Sequence, residues 1–83
     1  MTENAKQFSD LLEFLVEPLL DTKDFTVEVE EKDNGDGVKI SLDVPDDLRG
    51  RVIGKGGRIA KSLRSILESS SFSTGRVYLD IVD

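Results

Sequence analysis

The stretch Arg49-Gly50-Arg51-Val52-Ile53-Gly54-Lys55-Gly56-Gly57-Arg58-Ile59-Ala60-Lys61-Ser62-Leu63-Arg64 holds six of the chain's eleven basic residues and none of its seventeen acidic ones. It carries +6, while the other 67 residues, with five basic and seventeen acidic groups, carry −12. A positive island in an acidic chain suggests a site built for an anion. Before the glycines, Leu48 and Val52 stand at i, i+4 spacing on a short helix that tolerates Gly50, with Asp46 or Asp47 placed to cap it. After them, Ile59, Leu63, Ile66 and Leu67 share one face of a helix from about Arg58 to Ser70, and Arg58, Lys61 and Arg64 point away from it. Gly54-Lys55-Gly56-Gly57 is therefore predicted to be a turn between two helices.

Working upstream, the period changes to two. Val38, Ile40, Leu42 and Val44 alternate with Lys39, Ser41 and Asp43, and Pro45 ends that strand. Phe25, Val27 and Val29 alternate with Thr26, Glu28 and Glu30, giving a strand over 25–31 with one wet face. Between the two, Lys32 to Gly37 contains Asn34-Gly35 and Asp36-Gly37, the dipeptides of a tight turn, so strands 25–31 and 38–44 form an antiparallel hairpin. Further upstream, Phe8, Leu11, Leu12, Leu15, Val16 and Leu19 mark the inner face of a helix over about 5–20. Thr2 or Asn4 can cap its start, and Pro18, lacking an N–H, predicts a kink or a fresh turn near its end. Downstream, Ser69 to Gly75 makes a polar connection in which Phe72 is placed to tuck back into the core. A last strand over 76–82 turns Val77, Leu79 and Ile81 inward and Tyr78 outward. The order is α-β-β-α-α-β, an α+β arrangement with three helices on one face of a three-stranded sheet.

Composition bounds what such a chain can do. Eighty-three residues make one small domain, which buries only about 60% of the surface its unfolded chain exposes. That size argues against a deep, enclosing substrate pocket. With neither Cys nor His, the usual zinc sites, disulfides and His-dependent catalytic triads are excluded, and no catalytic set or metal site is predicted. No apolar run approaches the roughly 20 residues that span a bilayer, and the first residues lack a signal-peptide pattern, so no membrane partner is expected and the chain reads as soluble and cytoplasmic. The net charge of −6 opposes indiscriminate binding to nucleic acid, but screening within about 8–10 Å lets a local cationic patch act on its own.

At the turn, glycine permits positive φ and lets a ligand approach the backbone without a Cβ in the way. The helix starting near Arg58 points its free N–H groups and the positive end of its dipole toward the turn, an arrangement that holds phosphate. Lys55, Arg58, Lys61 and Arg51 add formal charge. Other readings of the same residues are a plain helix-helix corner, a nucleotide-binding P-loop and a dinucleotide fingerprint. The P-loop spacing from Gly50 to Gly54-Lys55 is one residue short, and Gly56 replaces the hydroxyl residue that would hold magnesium. The Gly-x-Gly-x-x-Gly spacing of dinucleotide folds is absent.

Val52-Ile53-Gly54-Lys55-Gly56-Gly57-Arg58-Ile59 resembles the core signature of KH domains: two aliphatics, Gly-x-x-Gly, then an aliphatic two residues on. The helix and strand order resembles the type II, prokaryotic KH arrangement across nearly the whole chain. The pattern through Lys61 is similar to the KhpA family of small, stand-alone bacterial KH proteins. The resemblance implies that the loop clamps a few backbone nucleotides of single-stranded RNA. Gly54 and Gly57 would shape it, Lys55 and Gly56 would face phosphates, and Arg58 would pair with one. It also implies a groove for about four nucleotides, lined by Val52, Ile53 and Ile59, with Ile40 or Leu42 from the neighbouring strand. Each of these aliphatics can equally be ordinary core. With Tyr78 as the only ring expected at the surface, base stacking is poorly supplied, and single-domain affinity should be weak and salt-dependent. The family relation further implies a post-transcriptional regulator or RNA chaperone without enzymatic activity or cofactor. It would act as a homodimer or beside a larger Jag-type KH protein. The −12 outside the basic stretch leaves a second function class open, an interaction module that docks a basic protein partner.

Overall fold

Side-chain alternation becomes a three-stranded sheet in the computed structural model, which describes residues 3–31, 37–70 and 75–82. The elements run α1 (Glu3–Leu20), β1 (Thr26–Glu31), β2 (Gly37–Asp43), α2 (Arg49–Ile53), α3 (Arg58–Ser69) and β3 (Arg76–Val82). Short 3-10 turns at Asp46–Leu48 and Lys55–Gly57 precede α2 and α3. The predicted α-β-β-α-α-β order is the observed one.

β2 is the central strand, antiparallel to β1 and parallel to β3. The register aligns Val29, Ile40 and Leu79 in one row and Val27, Leu42 and Ile81 in the next. These rows face the helices. Ile40 and Leu42 in the centre are fully buried, whereas Val27, Val29, Leu79 and Ile81 on the flanking strands are half-buried. α1 packs on β1 and α3 on β3, and Phe8, Leu12, Val16, Leu63 and Leu67 fill the space between helices and sheet. Glu28, Glu30, Lys39, Tyr78 and Asp80 alternate onto the opposite, solvent-facing side. Charged groups on that side keep the bare face from stacking on another sheet.

Several local expectations are corrected. α1 runs on through Pro18 to Leu20 instead of breaking there. Pro18 lies in the last turn, where its missing N–H leaves one carbonyl without its helical donor and disturbs no later turn. The helix then closes with Asp21 at φ 54, its N–H donating to the Glu17 carbonyl at 2.8 Å. Neither Asp46 nor Asp47 caps a helix through its side chain; the Asp46 carboxylate instead accepts from the Arg49 guanidinium. Ile66, expected on the inner face of α3, is 45% exposed, because Leu63 and Leu67 already fill the sheet-facing side. The Asn34-Gly35 part of the turn, the Thr2 and Asn4 caps and the inward position of Phe72 lie outside the residues and side chains described.

One contact ties α3 to the edge of the sheet. The Glu68 carboxylate accepts from the Val77 backbone N–H at 3.0 Å and from the Arg64 guanidinium at 3.5 Å. The helix end is thereby fixed to an edge strand by a charge-assisted hydrogen bond.

Candidate nucleic-acid interface

The turn between α2 and α3 is built from three consecutive demands on the backbone. α2 ends at Ile53, and the Gly54 N–H donates to the Gly50 carbonyl at 2.9 Å. Gly54 then adopts φ 75, ψ 171, a region essentially reserved for glycine. A Cβ there would stand 2.6 Å from Cγ1 of Ile59, so sterics forbid a side chain on both counts. Gly56 and Gly57 sit in the left-handed region, at φ 67 and φ 78, with open space where a Cβ would be. The Gly57 N–H returns to the Gly54 carbonyl at 3.1 Å and closes the turn.

Gly57 is also the residue that starts α3. Having no side chain, it offers no oxygen to the donors of the first helical turn, which Ser, Thr, Asp or Asn would otherwise supply. That end of α3 carries no acidic residue in its first turn. Backbone donors, the positive dipole end and open space therefore converge where Lys55 and Gly56 are exposed.

The six cations of the stretch separate into two groups. Arg49 pairs with Asp46, and Arg64 lies 3.5 Å from Glu68, so both serve the fold. Arg51, Lys55, Arg58 and Lys61 are exposed and form no ion pair among the described residues. These four are the cations singled out in the sequence, and they flank the glycine turn in chain order. A multiply charged anion placed against the turn would meet backbone N–H groups and side-chain charges together.

The aliphatic candidates are distributed differently. Val52, Ile40 and Leu42 are all fully buried, so their side chains belong to the core and present no surface to a ligand. The helices cover Ile40 and Leu42 on the central strand, and α1 and α3 pack around α2. Ile59 is half-buried and packs on the core, while Ile53, also half-buried, stands outside the core cluster. Of the predicted groove residues, Ile53 and Ile59 retain accessible surface beside the turn. Tyr78 lies on the outer sheet face as expected, at 41% exposure. It is not the only exposed ring: Phe14 on α1 is 73% exposed. Its place off the apolar stripe of α1 is the signal in the sequence for that exposure.

Among the described residues no helix is long and apolar enough to cross a membrane. A family profile described as the KH domain of KhpA/KhpB matches residues 9–81. The chain is 43% identical over 74 residues to a protein of Halalkalibacterium halodurans named RNA-binding protein KhpA, an alignment covering 88% of this chain and 96% of the relative. A protein of the same name from Aquifex aeolicus is 41% identical over 75 residues, covering 89% of this chain and 94% of the relative. One from Clostridium acetobutylicum is 34% identical over 73 residues, covering 87% and 96%. No solved structure matches significantly. The chain belongs to the KhpA/KhpB family of KH domains.

Proposed function

We propose that this KhpA/KhpB family member binds single-stranded RNA in the cytoplasm, gripping the phosphate backbone at Gly54–Gly57. The observation that carries this reading is the set of four exposed cations, Arg51, Lys55, Arg58 and Lys61, free of ion pairs among the described residues and flanking in chain order a glycine turn that opens α3. The relatives' printed name, RNA-binding protein KhpA, points the same way. Lys55 and Gly56 meet the phosphates, and Arg58 and Lys61 extend the contact along the strand. Ile53 and Ile59 give the bases an apolar surface next to the turn. Val52 supports Ile53 from within the core and makes no contact itself.

A site of three or four phosphate contacts gives a logarithmic salt slope of roughly −2 to −3 on single strands. Affinity at one such site is modest, so the chain works best when two sites are linked, as a homodimer or beside a larger Jag-type KH protein, in post-transcriptional regulation or RNA chaperoning. No catalytic step belongs to this reading.

The test is the double substitution Lys55→Asp/Gly56→Asp. A Cβ at Gly56 meets nothing within 4 Å, and Asp tolerates its left-handed backbone, so the variant should fold. Fluorescence anisotropy with a labelled eight-nucleotide single-stranded RNA is expected to show at least a tenfold loss of affinity, with an unchanged circular dichroism spectrum. Retained affinity in the folded variant would overturn the clamp.

A further inference from the structure

A second surface lies away from the basic stretch in sequence and is opposite to it in charge. Phe14, Leu15, Pro18 and Thr22 line an apolar groove of about 610 Å³ along the last turns of α1 and the segment that follows. Glu17, Asp21 and Lys23 complete its wall. Phe14 stands 73% exposed in it, a large ring that contributes little to the core.

Three observations choose an occupant. Asp10 and Glu17 flank Phe14 on the helix surface at i−4 and i+3, and Asp10 and the adjoining Glu13 are both exposed. None of Asp10, Glu13, Glu17 and Asp21 is in an ion pair among the described residues. α1 has no basic residue in its last turn, so Glu17 and Asp21 add to the negative end of the dipole. Pro18, finally, has no N–H to give the Phe14 carbonyl, which leaves an acceptor beside the ring. RNA and anionic membranes are repelled by such a rim.

We propose that this groove docks an arginine side chain presented by a basic protein segment. A guanidinium lies flat on the Phe14 ring and turns its N–H fork toward the carboxylates of Glu17 and Asp21, using a planar cation where a lysine offers only a point charge. The aliphatic part of the same segment covers Leu15 and Pro18. This assignment stands independently of the RNA reading.

The test is a nuclear magnetic resonance titration of the full chain with the capped pentapeptide Ala-Arg-Leu-Arg-Ala and its lysine counterpart. Amide shifts concentrated at residues 13–24, with at least threefold weaker binding of the lysine peptide, are expected. Phe14→Ala, and separately Glu17→Gln/Asp21→Asn, should each weaken the arginine peptide about threefold or more; Asn suits the positive φ at position 21. Equal binding of the two peptides, or shifts spread over the acidic strands at Glu28, Glu30 and Asp43, would overturn the proposal. So would shifts at 13–24 that follow the chain's own concentration without peptide, which make the occupant a second copy. Shifts at those residues on adding single-stranded RNA would overturn it as well.

Discussion

The first turn of α3 and the last turn of α1 are helix ends of opposite polarity, and each carries side chains of the sign its backbone already presents. At α3, Arg58 and Lys61 add positive charge to the positive end of the helix dipole, with no acidic residue in the turn. At α1, Glu17 and Asp21 add negative charge to free carbonyls, with no basic residue in the turn. Helix stability favours the reverse at both ends, by about 0.3–1 kcal/mol per charge. Two surfaces thus oppose local stability in mirror image, and each is proposed above to be completed by an external partner of opposite charge. The difference lies in how the surface is made. The α3 end depends on backbone shape, through Gly54 and its neighbours, whereas the α1 end depends on exposed side chains over an ordinary helix.

That distinction can be broken experimentally. Gly54→Val has the largest expected effect, because the new side chain faces both a glycine-only backbone and the Ile59 side chain at 2.6 Å. A loss of about 2–4 kcal/mol in urea denaturation is expected, along with RNA binding. No comparable loss is expected from a change at the α1 end, where Phe14→Ala should stay within about 0.5 kcal/mol of the parent. Arg58→Glu should separate stability from function at the α3 end, raising stability by about 0.3–1 kcal/mol while weakening RNA binding. Glu17→Lys should raise stability by a similar amount and leave RNA binding unchanged, since it acts at the other surface. Gly50→Ala is a change of similar size that touches neither surface's charge. Gly50 is helical, exposed and has nothing within 4 Å of a Cβ, so alanine should add about 0.4–1 kcal/mol. The contrast between Gly50 and Gly54, four residues apart on the same corner, is then a direct measure of where glycine is required.

Periodicity made most of this architecture legible. The two-residue alternation of Val38-Ile40-Leu42 and Val77-Leu79-Ile81 placed two strands within a residue of their observed bounds, and the helical patterns on either side of Gly54–Gly57 placed a turn between α2 and α3. Alternation reports which side chains share a face. It does not report what covers that face, so Val52, Ile40 and Leu42 could be read as groove or as core until the helices were seen to bury them. Ile66 was misassigned for the complementary reason: it lies at the margin of the apolar arc of α3, past the reach of the sheet. The parallel pairing of β2 with β3 also lies beyond periodicity, since alternation is the same in either direction. At Pro18, position within the helix outweighed residue type, because one missing donor in a final turn leaves nothing downstream to break.

The parallel pairing of β2 with β3 has a kinetic consequence. Everything between Asp43 and Arg76, including α2, the glycine turn and α3, is a loop that this pairing must close. Long-range parallel pairing is slow, because the closure entropy comes due before its contacts reward it. α3 rests on β3, and Glu68 is tied to it through Val77. During synthesis the basic turn emerges from the ribosome before the strand that fixes it, so its four cations and glycines exist as flexible chain before they are held in a fixed turn. The site acquires its shape in the same step that completes the sheet.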